Sequence, residues 1–429
     1  MEKQEKFFYG WWIVFVAFLS IGITYGTKGI FSVIQLPMLN DLHWSRSEIS
    51  GALSANMLIY AIIAPFVGKY MDKVGIKMVL VVGSLLTGAA FMLCSMVTQV
   101  WQFILLFGVL LGLANTGMGM IPGPTAVNRF FIKKRGRALS IALVASPGGA
   151  MVFSMLAKQI LPDMGWRSLF VIMAVSSWAL VTIPAFFLMK SSPEEMGLHP
   201  DGEATVTPST PNAAATTTTP LDHDETWTLS ELVMNIKSWT VFLPYFILGG
   251  ASWTVQAHMV PHLVQMGLPK ADVIDGFTAY MFLGVLSMLF FPSISDYVKR
   301  KYALAIAFII QAVGVYLLSI TTNTTLMWIF VVVMGSAAMG SYGIISALAA
   351  DIFGRKNLGT VAGTMAMMAS FGAAFGIYAG GWVFDTFNQS YSMLWWMWLI
   401  SLVIATGVSV MSGPIQKKQP LGDFVAATK

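Results

Sequence analysis

The sequence predicts an all-α polytopic membrane protein with twelve transmembrane helices arranged as two pseudo-symmetric six-helix halves. The composition is the first reason: the 429 residues are 56% hydrophobic and only 10% charged, and the mean hydropathy is +0.72. A soluble protein carries far more charge than this. The second reason is that the apolar residues fall in runs of about 20, the length that a helix needs to cross a hydrocarbon core.

The apolar runs give the positions of the twelve predicted spans. The first six are residues 11–35, 46–68, 77–98, 101–126, 137–160 and 167–189. The second six are residues 238–264, 272–294, 302–321, 325–350, 358–383 and 390–412.

The basic residues predict how the chain is oriented. Of the 25 lysines and arginines, 20 fall on the side that holds both termini, and one, Lys28, falls inside the first span. The other side carries only Arg46, Lys158, Arg167 and Lys270. Basic loops stay in the cytoplasm, so both termini are predicted to be cytoplasmic. The net charge of +5 reflects this bias and does not indicate a nucleic-acid partner. The compact loops suit a bacterial cytoplasmic (inner) membrane.

A polar segment divides the chain into three predicted parts. Residues 1–190 form an N-terminal six-helix bundle, residues 191–237 a linker, and residues 238–429 a C-terminal six-helix bundle. The linker is acidic and rich in threonine, a composition that cannot bury enough apolar surface to pack. We therefore expect a cytoplasmic spacer.

The two halves resemble each other in sequence. Asp72 closes the second span and Asp296 closes the eighth, and residues 18–25 align with residues 246–253. Without gaps, this alignment makes Gln256 the counterpart of Lys28. An internal repeat of this kind is typical of secondary transporters, which bind their substrate between the halves near the bilayer midplane.

The loop after the second span carries a family resemblance. It reads Gly-Lys-Tyr-Met-Asp-Lys-Val-Gly-Ile-Lys from Gly68, which resembles the loop signature of the major facilitator superfamily. The resemblance extends over all twelve spans and implies that these loops gate the conformational change. The residues expected to take part are Gly68, Asp72, Lys73, Arg135 and Asp296.

Within that superfamily the chain resembles the monocarboxylate transporter and oxalate/formate antiporter branch. The resemblance rests on the aromatic entry that begins at Tyr9, on Lys28, on the basic entry to the fifth span from Arg129, and on the tenth span around Tyr342. The chain departs from the branch in its eighth span, because residues 283–292 contain no acidic or basic residue.

Lys28 carries the substrate prediction. A cation at membrane depth costs about 2.5–3.5 kcal/mol on insertion scales, so it usually faces a cavity and marks a function. We expect no carboxylate in the apolar segments to pair with it. One buried cation is best matched by one anionic group, which favours a monocarboxylate of the lactate or pyruvate type. The alternative is that Lys28 snorkels toward the outer interface.

Polar residues on the first, fourth, seventh and tenth spans complete the predicted substrate site, because these helices line the cavity in the superfamily. Each of them alone is also typical of a helix–helix hydrogen bond. They are Tyr25, Asn115, Gln256 and Tyr342. Asn56 of the second span and Ser370 of the eleventh span are weaker candidates.

Two histidines complete the list of candidates. His258 and His262 are four residues apart and share a helix face. Histidine titrates near neutral pH, so His258 is predicted to contact the substrate and to carry a cotransported proton. The alternative, favoured for His262, is hydrogen bonding at the outer mouth. A metal would need more ligands, and no metal or cofactor is expected.

The sequence therefore predicts a secondary active transporter that moves a small monocarboxylate by alternating access with a proton as co-substrate, acting as a monomer in the lipid bilayer. The alternatives are an exporter of a drug-like compound, an organic-anion antiporter, and a transporter-derived sensor that signals through the linker. An enzyme is not expected, because the spans contain no HExxH motif, paired carboxylates or Ser/His/Asp set.

Overall fold

The computed structural model describes residues 8–199, 201, 229–294, 297–353 and 358–413. Within these ranges all regular structure is helical. Most of the predicted linker and all of Asp296 lie outside the described residues, as does the side chain of Asp72.

The N-terminal part of the chain forms nine α-helices, and two π-helical segments continue them. The α-helices are α1 Gly10–Gly29, α2 Phe31–Leu42, α3 Arg46–Val74, α4 Ile76–Cys94, α5 Val100–Phe103, α6 Leu111–Thr116, α7 Pro122–Phe130, α8 Arg135–Ser177 and α9 Ile183–Leu188. The π-helical segments are Ile104–Leu110 and Trp178–Thr182.

The C-terminal part forms eight more α-helices in the described ranges. They are α10 Leu229–Met234, α11 Trp239–Gln265, α12 Lys270–Ile294, α13 Arg300–Ile320, α14 Thr324–Ala337, α15 Gly340–Phe353, α16 Leu358–Thr386 and α17 Ser392–Val410.

In the described part of the chain, nine helical stretches are long and apolar enough to cross a membrane. One of them, Arg135–Leu188, is 54 residues long, and Gly165 breaks its helical geometry with φ of 72° between the predicted fifth and sixth spans. Val100–Thr116 is a shorter apolar helix. The helical, membrane-spanning class is confirmed, whereas the count of twelve and the cytoplasmic termini remain predictions.

Local sequence explains where the helices begin and end. Ser45 starts α3 with a capping box, in which its side chain accepts from the backbone of Glu48 and the Glu48 carboxylate accepts from the backbone of Ser45. Such a reciprocal pair satisfies two backbone donors that the first turn leaves unpaired. Gly75 joins α3 to α4 with φ of 87°, a conformation that only glycine adopts without strain.

Small residues bring two equivalent pairs of helices into close contact. A Cβ added at Gly26 of α1 would lie 2.8 Å from the carbonyl oxygen of Gly149 in α8. In the C-terminal part, a Cβ added at Gly372 of α16 would overlap the carbonyl group of Phe246 in α11. Close packing through small residues is the usual way in which membrane helices associate. These two helix pairs form walls of the cavity described next.

Candidate functional site

A cavity of about 480 Å³ lies between α1, α3, α8, α11, α12, α15 and α16; we call it the central cavity. Five aromatic rings line it: Tyr25, Tyr60, Tyr245, Trp253 and Tyr342. Five methionines line it as well: Met57, Met120, Met281, Met288 and Met339. Its polar side chains are Lys28, Gln256, Ser146, Ser346 and Ser370.

Lys28 is held in this cavity by aromatic rings. Its side chain is buried, with the residue only 4% exposed, so the cavity-facing orientation is favoured over snorkelling to the interface. The Nζ atom lies 4.7 Å from the ring centroid of Tyr60 and 5.5 Å from that of Tyr25. Ring faces attract a cation through their quadrupole. No carboxylate in the described ranges pairs with Lys28.

One expectation about carboxylates is wrong. The predicted eighth span does contain two acidic residues, Asp272 and Asp275, near the start of α12. The Asp275 carboxylate pairs with Lys158 of α8, with 2.5 Å between Nζ and Oδ2. The side chains of Lys158 and Asp275 are 37% and 48% exposed. Because the Asp275 carboxylate is paired with Lys158, it does not neutralise Lys28. Among the described residues, Lys28 contacts the rings of Tyr25 and Tyr60.

The internal repeat brings its counterparts together. Tyr25 and Trp253 occupy equivalent positions in the aligned segments, and their ring centroids lie 6.2 Å apart. Lys28 and Gln256, one helical turn further along α1 and α11, both line the central cavity. The Gln256 amide donates to the backbone carbonyl of Ser252 at 3.3 Å, and its carbonyl oxygen accepts no hydrogen bond from the described residues.

Two further candidates line the cavity and two others do not. Tyr342 packs edge-on against Tyr245, with 5.7 Å between ring centroids, and Ser370 lies in the wall formed by α16. Asn115 is completely buried in α6, and neither polar atom of its amide has a hydrogen-bond partner among the described residues. Asn56 donates to the carbonyl oxygen of Phe107 at 2.9 Å.

His258 lies outside the cavity wall, in a hydrogen-bonded chain. Its Nε2 is 2.9 Å from the carbonyl oxygen of Ile377, and its Nδ1 is 3.2 Å from the hydroxyl of Tyr391. The guanidinium of Arg46 donates to the same hydroxyl at 2.6 Å. His262, on the same face of α11, has its Nε2 3.1 Å from the carbonyl oxygen of Leu318.

The hydrogen bonds from His258 through Tyr391 to Arg46 belong to a larger set of contacts between the N-terminal and C-terminal helices. These contacts lie at the end of the bundle predicted to face away from the cytoplasm, which we call the outer end. The guanidinium carbon of Arg46 lies 3.5 Å from the ring centroid of Phe384. The backbone N–H of Ser47 donates to Asp385 at 2.7 Å.

Helices α8 and α12 make the second contact at the outer end. Here the Lys158–Asp275 ion pair is followed one turn along by the hydroxyls of Ser154 and Thr278, 2.8 Å apart. The outer end is therefore closed between α3 and α16 and again between α8 and α12.

Three of the predicted gating residues, Gly68, Lys73 and Arg135, lie near the opposite end. The Nε of Arg135 donates to the side-chain oxygen of Asn128 at 2.6 Å. Lys73 is exposed, and a Cβ added at Gly68 would meet nothing within 4 Å. Because Asp296 and the Asp72 side chain lie outside the described residues, the gating role of this set stays a prediction.

The sequence reasoning missed several of these residues. Trp253 is the aligned counterpart of Tyr25, so the internal repeat predicts that it lies in the same site as Tyr25. Arg46 is one of only four basic residues predicted on the outer side, which was a signal for a structural role there. Tyr60 and the five methionines had no such signal, because apolar and aromatic residues are equally common on lipid-facing surfaces of membrane helices.

Comparison with known proteins supports the same fold and family. A profile of the Major Facilitator Superfamily matches residues 11–276 and 241–422. Monocarboxylate transporter 14 of Mus musculus is 26% identical over 195 residues, which cover 46% of this chain and 38% of the mouse protein. The uncharacterized MFS-type transporter YcxA of Bacillus subtilis is 23% identical over 384 residues, 87% of this chain and 88% of YcxA.

Solved structures show the fold at low identity. A bacterial homolog of the human lysosomal transporter Spinster, in an inward-facing and unoccupied conformation, has a TM-score of 0.71 at 14% identity, covering 94% of this chain and 97% of that one. The nucleoside transporter NupG has a TM-score of 0.73 at 13% identity, covering 94% and 98%. The chain spans only about a third of the length of the first curated relatives it matches. The breadth of the profile match nevertheless decides the family: the chain belongs to the Major Facilitator Superfamily.

Proposed function

We propose that this protein is a secondary active transporter for an organic monocarboxylate, with Lys28 as the seat of the carboxylate. The observation that carries the proposal is a buried cation in the central cavity whose charged end lies over the rings of Tyr25 and Tyr60 and pairs with no carboxylate of the described residues. Removing a charge from water is costly unless an opposite charge or good hydrogen bonds replace the water. A carboxylate bound at Lys28 supplies that charge. The similarity to monocarboxylate transporters supports the same substrate class.

The stoichiometry of charge favours one carboxylate over two. Lys28 is the cation in the wall of the cavity, and Gln256 and the tyrosine hydroxyls are neutral. A dicarboxylate would leave its second charge buried without a cation, which is unfavourable. Transport would follow alternating access, with one six-helix half rocking against the other in a bacterial inner membrane.

The test of this proposal is uptake of labelled monocarboxylates into proteoliposomes. We expect Lys28→Ala to reduce uptake at least tenfold and Lys28→Arg, which keeps the charge, to retain most of it. Lys301→Ala is a matched control, because Lys301 also lies over a ring, that of Tyr302, at 5.3 Å, but at the surface of α13. Equal uptake by wild type and Lys28→Ala would remove Lys28 as the seat. Transport of neutral apolar compounds without any acid would favour the drug-exporter alternative.

We also propose that His258 couples transport to protons by acting on the closed outer end rather than on the substrate. One arrangement satisfies its three-member chain: the Nε2–H of His258 donates to Ile377, the Tyr391 hydroxyl donates to Nδ1, and Arg46 donates to the Tyr391 oxygen. The proton positions are assigned from this network. In this arrangement His258 is neutral.

Protonation of His258 would break the arrangement. Its Nδ1 would become a donor, so the Tyr391 hydroxyl would have to turn its hydrogen away, and a second positive charge would appear beside Arg46. The other titratable groups that face this position are His262 on the same helix and Asp385 at the end of α16. Binding a proton would therefore loosen the contact between α3 and α16, and acid outside would favour an outward-open state.

Two uptake modes separate coupling from binding. His258→Gln is expected to abolish stimulation of uptake by an inward proton gradient while leaving substrate exchange at equal pH within about twofold of wild type. His262→Gln is the matched control, since the His262 ring hydrogen-bonds Leu318 and only packs edge-on against the Tyr391 ring. Gradient stimulation that survives in His258→Gln would rule out this coupling role.

A further inference from the structure

We infer that the substrate is a monocarboxylate that bears an aromatic ring, such as an arylacetic acid, rather than a three-carbon acid. This inference rests on the proposed function and refines its substrate class. It starts from the mismatch between the single charged group of the central cavity and the large apolar space around it.

The size of the cavity is the first argument. At about 30 Å³ per water molecule in the liquid, a volume of about 480 Å³ holds roughly sixteen waters. A three-carbon acid has six non-hydrogen atoms and would leave most of that space filled with water. Lys28 would then stay largely hydrated, and the carboxylate would gain little by binding it. Pockets of this volume are typical of ligands with a sizeable apolar body.

The chemistry of the wall is the second argument. Five rings and five methionines surround four neutral polar side chains and one lysine. Rings favour edge-to-face or offset contacts with another ring, and thioether sulfurs make favourable contacts with aromatic edges. Ring faces and thioether groups offer no comparable contact to a hydroxyl or keto group, as in lactate or pyruvate, so such a group depends on the few polar side chains of the wall. An alkyl chain would be buried equally well, but it would not use the ring geometry.

The position of the rings relative to Lys28 is the third argument. Tyr25 lies one helical turn from Lys28 on the same face of α1, and Trp253 lies one turn from Gln256 on α11. The Tyr25 and Trp253 rings meet at 6.2 Å with 38° between their planes. A carboxylate on Lys28 therefore places a ring one or two bonds away beside this aromatic pair. The ligand carboxylate forms an ion pair with the Lys28 ammonium group, which in the absence of ligand lies over the rings of Tyr25 and Tyr60.

Two substitutions separate ring recognition from carboxylate binding. Trp253→Ala removes one ring of the aromatic pair and leaves Lys28 in place. Ala366→Phe adds bulk to the wall of the cavity formed by α16 and leaves room for a three-carbon acid. Trp328→Ala is the matched control for the first variant, because Trp328 is 41% exposed on α14, outside the cavity.

The experiment measures KM and maximal uptake in proteoliposomes for lactate, octanoate, phenylacetate and indole-3-acetate. In wild type and in Trp328→Ala we expect KM to be at least tenfold lower for the two ring-bearing acids than for lactate, and lower than for octanoate. Trp253→Ala should narrow the ratio to lactate to about threefold or less. Ala366→Phe reduces the apolar space of the cavity, so it should raise KM for indole-3-acetate, the largest of the four acids, at least threefold and leave KM for lactate within about twofold.

Failure of this inference can be told from failure of the proposed function. If lactate is taken up as well as the ring-bearing acids, and Lys28→Ala abolishes both, the substrate class is wrong and the monocarboxylate function stands. A preference for octanoate over both aromatic acids overturns the role of the ring pair. If none of the four acids is transported or bound, the proposed function is wrong and the inference falls with it.

Discussion

Loss of the Arg46 side chain should open the outer end. Arg46→Gln removes the guanidinium that lies 3.5 Å from the ring centroid of Phe384 and donates to Tyr391 at 2.6 Å. A cation–ring contact contributes about 0.5–2 kcal/mol, and a hydrogen bond from a charged donor about 1.5–3 kcal/mol. Because Arg46 is partly exposed and the two contributions do not add fully, we expect about 1.4–2.8 kcal/mol, which is roughly a 10- to 100-fold shift toward the open outer end. The backbone bonds to Asp385 remain in the variant.

A single reporter cysteine measures this shift. The wild-type chain has one cysteine, Cys94, which is completely buried, so we expect little background labelling from it. Ser370→Cys places a thiol in the wall of the central cavity. In sealed proteoliposomes of defined orientation, a membrane-impermeant maleimide added on the outer side should label this thiol at least tenfold faster in Arg46→Gln than in its parent. A permeant maleimide confirms that the thiol reacts in both.

The control is an arginine of the same kind at the opposite end. Arg300 of α13 pairs with Asp351 of α15 at 2.5 Å, and both lie in the C-terminal helices. Arg300→Gln should leave labelling from the outer side unchanged. Equal outer-side labelling rates for Arg46→Gln and its parent would refute the view that Arg46 closes this end.

Three further outcomes follow from the packing. Gly149→Leu should destabilise the protein by several kcal/mol and lower its melting temperature in detergent, because a Cβ there overlaps the backbone of α1. Gly148→Leu is the control: a Cβ at Gly148 would have nothing within 4 Å, so this variant should melt near the wild-type temperature. Asp275→Asn should cost only about 0–1 kcal/mol, because its ion pair with Lys158 is 37–48% exposed, so outer-side labelling should change by less than about fivefold. Gly75→Ala should lower stability by about 1–3 kcal/mol, because Gly75 has φ of 87° and ψ of 153°, and this should be measured as a fall in melting temperature.

The sequence was informative where burying a residue in a membrane helix costs free energy. A lysine inside an apolar run has few stable environments, so its place in a cavity could be predicted for Lys28. The repeat placed Gln256 opposite it for the same reason, since the two halves must present equivalent positions to a shared site. The prediction for Asn115 rested only on the helix that carries it, and a helix number does not fix which face a side chain occupies.

The remainder could not be predicted because the partners are far apart in the chain. The hydroxyl that bonds His258 belongs to Tyr391, which is 133 residues away, and no periodicity connects the two. The size of the cavity depends on how seven helices pack. Methionines and tyrosines occur both in cavity walls and on lipid-facing surfaces, so their presence in the sequence does not predict which of the two they line. In a soluble protein the apolar face of a helix marks its buried side and the polar face its exposed side, whereas a membrane helix can be apolar on both sides.

The division of the site between the two halves bears on how it could work. Lys28 lies in the N-terminal helices, whereas Gln256 and Trp253 belong to α11 in the C-terminal ones. A ligand that touches only Lys28 would bind one half equally well in every conformation, and a ligand shifts an equilibrium only by its differential affinity for the two states. A substrate with a carboxylate at Lys28 and a ring against Trp253 instead joins the halves at the middle of the bundle. Its binding then favours conformations in which α1 and α11 stay close, while the contacts of Arg46 set how firmly the outer end is closed. In the proposed function the charge and the ring of the substrate would therefore have separate roles: the charge would select the ligand, and the ring would couple its binding to the movement of one half against the other.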